Sequence, residues 1–223
     1  MRFEEARRRL ARVPGRLPLA PPELMPVLMP GPDNEPPQVP AFPSGPRRDA
    51  AVLILIHPDD AGQAMVVLTE RSAGGHRHAG QISFPGGAID EDDDSVVTAA
   101  LREAGEEVGL NAAAEGVEVA GVLPAVDVRV SGFLVHPVIA FASRTPLLVP
   151  DGHEVAAIIL APLAAFLVSA PIEMVSADRD GLRLRYGAYR VGDHLVWGAT
   201  AGILGRLGAY LATTESDAAT ERG

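Results

Sequence analysis

The chain of 223 residues contains no cysteine. This absence excludes disulfide bonds, thiolate metal sites, iron–sulfur clusters and a cysteine nucleophile, and it agrees with a reducing compartment. A membrane-spanning segment is also lacking, because the longest apolar run, Ala156–Ala170, is short for a span and contains Pro162. The N-terminal residues have no apolar core of a signal peptide. We therefore expect a soluble, cytoplasmic protein.

Positive charge is scarce as well. The formal net charge is −10 and the isoelectric point is about 5.0, which argues against nucleic-acid binding and against stable association with anionic membranes. A small anionic substrate is still compatible, because a bound metal ion can invert the local charge. The sequence shows no internal repeat, and it leaves open whether the protein is a monomer or a homodimer.

What the sequence does contain is a series of β-forming runs and two substantial helical patterns. The predicted strands are Ala50–His57, Ala64–Glu70, Gln81–Phe84, Val117–Leu123, Phe133–Phe141, Glu154–Leu160 and Leu182–Val191. The predicted helices cover residues 2–12, a segment after Ser95, a short segment around Leu163–Leu167, and Ala199–Leu211. This mixture predicts an α/β (α+β) fold with a mixed sheet covered on both sides.

The length suits one well-buried domain and is short for two. We predict three parts. Residues 1–47 form an N-terminal helix and a proline-rich arm, and residues 48–211 form the main domain. Residues 212–223 form a polar, flexible tail.

The helix after Ser95 has clear start and stop signals. Ser95 is a good N-cap residue, and Gly109 is typical of the position just past a helix end. Apolar residues recur at three- and four-residue steps and predict a buried stripe, which consists of Val97, Leu101, Ala104 and Val108. The acidic residues of the same helix are therefore expected on a different face.

Three glutamates, Glu103, Glu106 and Glu107, follow helix spacings i, i+3 and i+4. These spacings place all three carboxylates on one face, where like charges repel unless a cation compensates them. A hard divalent ion with oxygen ligands, Mg²⁺ or Mn²⁺, is the natural candidate. The competing interpretation is a solvated acidic face without a metal.

Residues 102–110, with the sequence REAGEEVGL, resemble the second half of the Nudix box, G-x5-E-x7-R-E-U-x-E-E-x-G-U. In the first half, counting from Gly87, Asp93 takes the acidic position, and one extra residue separates it from Arg102. Residues 67–87, VLTERSAGGHRHAGQISFPGG, resemble the motif that precedes the box in the coenzyme A pyrophosphatase subfamily. Glu154-Val155 and Trp197–Ala201 are also similar to that subfamily.

The resemblance implies a Nudix-like α/β/α sandwich and the roles of several residues. Glu103, Glu106 and Glu107 would be metal ligands, and Glu103 would also orient or deprotonate the attacking water. Gly87 would offer its backbone carbonyl to the metal, and Arg102 would brace the loop by pairing with Asp93 or Asp94. Glu154, on a separate loop, is a further candidate ligand or base.

The substrate implied by the resemblance is small and nucleotide-like. Arg71 and Arg77 would bind its phosphates, and Gly86 and Gly87 would let phosphate approach the backbone closely. Hydrolysis of coenzyme A or acyl-coenzyme A would yield 3′,5′-ADP and 4′-phosphopantetheine. Two alternatives remain at this point: a hydrolase of another nucleoside diphosphate derivative, such as ADP-ribose, a dinucleotide or a nucleoside triphosphate, and a non-catalytic nucleotide-binding module.

Overall fold

A computed structural model describes residues 1–30, 45–72, 80–179 and 182–220. The helices are α1 (Phe3–Arg9), α2 (Val96–Val108) and α3 (Gly198–Thr220), and short 3₁₀ turns lie at Pro22–Leu24 and Leu163–Phe166. The strands are β1 (Val27–Leu28), β2 (Arg48–Pro58), β3 (Ala64–Arg71), β4 (Ile82–Ser83), β5 (Gly86–Ala88), β6 (Glu118–Val122), β7 (Val126–Val128), β8 (Phe133–Phe141), β9 (Val155–Pro162), β10 (Glu173–Arg179), β11 (Leu182–Val191) and β12 (His194–Val196).

The main sheet is mixed and has eight strands. Its path runs β4-β3-β2-β8-β6, with β9 paired to β3, β5 paired to β2 and β7 paired to β8. The central pair β2–β8 is parallel, and the other pairs are antiparallel. A parallel pair needs a long crossover connection. The connection between β2 and β8 contains α2. The topology therefore places the acidic helix against the centre of the sheet.

A second, smaller sheet contains β1, β10, β11 and β12. The sequence predicted β11 with its observed bounds, but it missed the other three strands. β1 has two residues and β12 has three, which is too short to show a hydrophobic period. Their pairing with β11 is a long-range event that no local pattern signals.

Strand alternation gives the main sheet two apolar faces. On one face, Ile54, Ile56 and Leu68 pack in a large cluster with residues of α1 and α3. On the other face, Leu53, Leu55 and Val67 pack in a smaller cluster with α2. The predicted α/β (α+β) sandwich with a mixed sheet covered on both sides is confirmed.

Three helical segments differ from their predicted bounds. The segment at Leu163–Phe166 is a 3₁₀ turn and not an α-helix, because the backbone is already extended at Leu167 and the helical segment ends after four residues. α1 is shorter than residues 2–12, and α3 runs to Thr220, beyond its predicted end at Leu211. Within the described residues, no helix combines the length and hydropathy required to cross a bilayer.

The described part of the N-terminal arm packs on the domain. Phe3, Leu10, Leu17 and Leu24 are all buried in the large cluster beside α3. The division into residues 1–47, 48–211 and 212–223 stays a prediction.

Candidate active site

The local sequence sets both ends of α2. The Ser95 hydroxyl accepts a hydrogen bond from the backbone N–H of Thr98 at 3.1 Å, which satisfies one of the free donors of the first turn. Gly109 ends the helix in the left-handed conformation, with φ of 66°. Both cap positions are as predicted.

The buried side of α2 differs from the predicted stripe. Ala104 and Val108 are buried as expected, but Val97 and Leu101 are only half-buried at its edge. Ala99 and Ala100 are fully buried instead. The stripe is rotated because alanines, with their short side chains, form the closest contact with the sheet.

Glu107 lies within this contact and not on an open acidic face, so the predicted separation of the two faces is wrong at this residue. Its exposed fraction is 6%. One carboxylate oxygen, Oε2, accepts a hydrogen bond from the backbone N–H of Gly86 at 3.0 Å. Burial raises the pKa of Glu107 to about 7, although the Gly86 hydrogen bond and the positive charge of Arg71 oppose this shift.

Glu103 faces the glycines of β5, the strand that precedes the helix. A Cβ added to Gly87 would lie 2.5 Å from Oε2 of Glu103, so any other residue there would displace this carboxylate. Gly86 has φ of 151°, and a Cβ there would collide with the carbonyl oxygen of Ala51. Burial also raises the pKa of Glu103.

Arg102 forms ion pairs with two of the three glutamates of α2. Its Nη1 lies 3.1 Å from an oxygen of Glu103 and 3.1 Å from an oxygen of Glu106. Its Nη2 and Nε donate to the two carboxylate oxygens of Asp93 at 2.9 and 3.1 Å. Of the two predicted partners, Asp93 and Asp94, the structure selects Asp93, whose side chain is only 3% exposed.

Arg102 also explains the position of Glu106, whose side chain is 61% exposed and turned toward the guanidinium. Among the described residues, no three histidine, aspartate or glutamate side chains are grouped so that they could hold one metal ion. The three-glutamate metal site therefore stays a prediction. The donor set still suits Mg²⁺ or Mn²⁺, since Glu103 and Glu107 are desolvated carboxylates and a guanidinium already bridges Glu103 and Glu106.

A second loop brings Glu154 to the same end of the sheet. Its carboxylate lies 3.8 Å from Nη2 of Arg71, the last residue of β3, and its charge contributes to the raised pKa of Glu103 and Glu107. The backbone at Glu154 is attached to the end of β3 by a hydrogen bond from the Ser72 N–H to the Glu154 carbonyl oxygen at 2.9 Å. The structure thus brings Arg71 and Glu154 together with the carboxylates of α2.

Arg77, like His76 and His78, lies outside the described residues. Asp151, which the sequence interpretation missed, organises the loop before Glu154: its carboxylate accepts hydrogen bonds from three backbone N–H groups. The Asp151-Gly152 pair was an available signal, because this dipeptide is typical of turns.

Comparison with known proteins finds a family model that covers the residues of this site. The NUDIX domain profile matches residues 46–183. "Uncharacterized Nudix hydrolase NudL" of Cronobacter sakazakii is 40% identical over 162 residues, covering 72% of this chain and 81% of the relative. The protein of the same name from Shigella flexneri is 40% identical over 168 residues, covering 75% and 84%.

Among solved structures, a similar one is the "Nudix Hydrolase from M. Smegmatis, RenU". It is 22% identical with a TM-score of 0.49, and the match covers 79% of this chain and 89% of that chain.

Proposed function

We propose that the chain, which belongs to the NUDIX domain family and is a hydrolase of pyrophosphate bonds, acts on coenzyme A or an acyl-coenzyme A, because residues 67–87 resemble the motif of the coenzyme A pyrophosphatase subfamily. The products would be 3′,5′-ADP and 4′-phosphopantetheine. Nudix hydrolases act on small nucleotide-derived substrates and generally use divalent ions such as Mg²⁺ or Mn²⁺. The reaction is attack of water on one phosphorus of the P–O–P bridge, with cleavage of the bond to the bridging oxygen.

The observation that supports a hydrolytic site most strongly is the buried carboxylate of Glu107, held against the Gly86 N–H at 3.0 Å. A desolvated carboxylate with a pKa of about 7 is costly in its charged form unless a cation lies beside it. Glu103 and Glu107 would hold the ion, with the carbonyl oxygen of Gly87 and with Glu106 once it leaves Arg102. Bound there, the ion would neutralise pyrophosphate oxygens and lower the pKa of the attacking water.

Three side chains of the protein would orient the water, hold the loop and bind a phosphate of the substrate. Glu103 would orient the water or accept its proton, because its partly buried carboxylate faces Gly87 in β5. Arg102 would hold the loop through Asp93 and keep the helix face in place. Arg71, whose side chain is 34% exposed, would donate to a phosphate group of the substrate in the bidentate manner suited to arginine.

Coenzyme A is favoured by the residues that surround the site. Val67–Ser72, Gly80 and Phe84–Gly87 match the motif of the coenzyme A pyrophosphatase subfamily. In the structure, they lie in the second half of β3, just before β4 and at the start of β5, and β5 contacts α2. Glu154-Val155 is also part of the similarity: Val155 begins β9 opposite Arg71, and Glu154 immediately precedes it.

The test is product analysis with purified protein, Mn²⁺ and a panel of substrates: coenzyme A, acetyl-coenzyme A, ADP-ribose, a dinucleoside polyphosphate and a nucleoside triphosphate. We expect 3′,5′-ADP and 4′-phosphopantetheine by mass spectrometry, with the highest kcat/KM for coenzyme A or its thioester. A higher kcat/KM for ADP-ribose or another member of the panel would assign the enzyme a different substrate. No cleavage of any of them would favour a non-catalytic module.

The role of Arg71 has its own comparison. Removal of a cation that contacts the 3′-phosphate should raise KM for coenzyme A and leave KM for 3′-dephospho-coenzyme A unchanged. The variant Arg71→Ala tests this. If Arg71 contacts the pyrophosphate instead, its removal would raise KM for both substrates. Arg129→Ala, which removes a 70% exposed arginine at Asp127, is the matched control.

A further inference from the structure

Residues 151–155, which we name the Asp151 loop, lie between the C-terminal end of α2 and the start of β9. Asp151 forms hydrogen bonds both to α2 and within the loop. Its own N–H donates to the carbonyl oxygen of Glu107 at 3.0 Å. Its carboxylate accepts from the N–H groups of His153 at 3.2 Å, Glu154 at 3.1 Å and Val155 at 2.8 Å. One side chain therefore ties three consecutive backbone groups to a single point.

The attachment to α2 uses groups that a helix leaves free. The last four carbonyl groups of a helix have no partner within it. In α2, the Val108 carbonyl accepts from the Val149 N–H at 2.9 Å, and the Glu107 carbonyl accepts from the Asp151 N–H. The segment before the loop is thereby held at the residue whose side chain is the buried carboxylate of the site.

At its other end, the loop determines where Glu154 points. The Glu154 carbonyl is held by the Ser72 N–H at 2.9 Å, and Val155 pairs with Arg71 as the first residue of β9. The Glu154 side chain is 63% exposed and has Arg71 at 3.8 Å as its ion-pair partner. A carboxylate this exposed is little restrained by packing, so its position depends on the Arg71 ion pair and on the backbone of the Asp151 loop.

We propose that Asp151 is a positioning residue, which sets the carboxylate of Glu154 at a fixed place beside Arg71 and the glutamates of α2. The inference rests on the proposed pyrophosphate hydrolysis and extends it to a residue that does not touch the substrate. Small displacements are expensive in such a site, because a shift of about 1 Å can lower a rate by about 100-fold. Without the Asp151 carboxylate, three N–H groups lose their acceptor and the turn loses its definition.

A turn of this kind can also serve folding alone, and the two roles predict different results. If Asp151 acts through Glu154, its removal should have no effect once the Glu154 carboxylate is gone. If it acts only on stability, its effect on the rate should be absent in fully folded protein, or should add to that of Glu154. A double-mutant cycle distinguishes the two roles.

The cycle compares wild type, Asp151→Ala, Glu154→Gln and the double variant at a temperature where all are folded, as checked by circular dichroism. The measured quantity is kcat on the best substrate of the panel. We expect Glu154→Gln to lower kcat by at least 10-fold, Asp151→Ala to lower it by a similar factor, and the double variant to equal the slower single variant. Asp151→Asn keeps one acceptor oxygen. Its decrease in log kcat should be less than half of the decrease caused by Asp151→Ala.

Asp59→Ala is the matched control. The Asp59 carboxylate also accepts a backbone N–H in a turn, from Gln63 at 2.7 Å, but that turn lies at the opposite end of β3 from Arg71. Its removal should lower the melting temperature and leave kcat unchanged.

Multiplicative effects in the double variant, or an unchanged kcat in Glu154→Gln or in Asp151→Ala, would overturn the proposal. If Asp151→Ala does not fold, the same cycle is run with Asp151→Asn, for which a smaller loss of kcat is expected, and an unchanged kcat or multiplicative effects in the double variant overturn the proposal. Wild-type turnover on the panel tests the proposed function, and the ratios between variants test Asp151, so the two fail separately. If the wild type shows no turnover, the amide hydrogen-exchange rates of residues 153–155 are compared between wild type and the Asp151 variant. Exchange that is no faster in the variant overturns the positioning role.

Discussion

The two faces of the main sheet use different side chains for different purposes. The face below α1 and α3 is packed with large residues, including Ile54, Leu68, Phe166 and Leu204. The face below α2 is packed largely with alanine, and Glu107 is buried at its edge. The first arrangement removes the most apolar surface from water, and the second lets a helix approach the backbone closely enough for Gly86 to donate to a carboxylate.

The comparison shows how one sheet combines stability with a costly site. Apolar burial contributes about 25 cal/mol for each Å² removed from water, so large side chains stabilise the α3 face. The α2 face gives up part of that stabilisation and also buries a charge-bearing group. We therefore expect substitutions on the α2 face to change activity, and substitutions on the α3 face to change stability.

The largest expected effect is that of Glu107→Gln on activity. Glutamine keeps the shape of the side chain and an oxygen that can accept from Gly86, but it lacks the charge that would hold a cation. Changes to groups that only orient metal ligands already cost about 10- to 100-fold, so we expect kcat/KM to fall by more than about 100-fold. Melting temperature and circular dichroism should show an intact fold. An unchanged rate would remove α2 from the mechanism.

On the opposite face, Leu204→Ala should produce the converse result. Leu204 is fully buried, and such truncations cost about 2–5 kcal/mol in the free energy of unfolding. Urea denaturation measures this loss, and kcat/KM at a temperature where the protein stays folded should match wild type. Val168→Ala, at a site that is 64% exposed, should change the free energy of unfolding by less than about 0.5 kcal/mol. A loss of activity in folded Leu204→Ala would contradict the division between faces.

The pH dependence of stability is the next effect in size. The pKa of Glu107 is raised from 4.5 to about 7 in the folded chain, so between these values the native state binds more protons than the unfolded state. Metal-free protein should therefore lose stability as pH rises from 4.5 through 7, by up to about 3 kcal/mol. Burial lowers the pKa of His57, which acts in the opposite direction below pH 6.5.

The difference between wild type and Glu107→Gln isolates the contribution of Glu107 from that of His57. Urea denaturation at pH 5 and pH 7.5 in EDTA should show wild type losing stability relative to the variant as pH rises. Mn²⁺ at pH 7.5 should restore it in wild type alone. A difference that stays constant with pH would contradict the burial of a titrating carboxylate.

The smallest effect concerns the start of α2. Ser95→Ala removes the acceptor for the Thr98 N–H and should cost about 1 kcal/mol in the free energy of unfolding. Ser95→Asn keeps a capping oxygen and should cost much less. Because the cap lies at the far end of α2 from Glu107, kcat/KM should not change in either variant, and a large change would show that the site depends on the whole length of the helix.

Local chemistry in the sequence was enough for much of this molecule. Ser95 and Gly109 defined both ends of α2, and the β-forming run Phe133–Phe141 gave β8 with its observed bounds. The spacing of Glu103, Glu106 and Glu107 together with the Gly86-Gly87 pair pointed to the family that the comparisons confirm. These features depend on residues close together in the chain, where periodicity and capping rules apply.

Only the tertiary structure decided what each glutamate experiences. Helix spacing gives the angle between side chains around an axis, but not which of them the sheet covers, so it did not show that Glu107 is buried while Glu106 faces Arg102. It likewise left Asp93 and Asp94 equivalent and gave no reason to connect Asp151 with Glu107. Desolvation and long-range hydrogen bonds arise when distant segments meet, and the sequence around each residue does not record which segments those are.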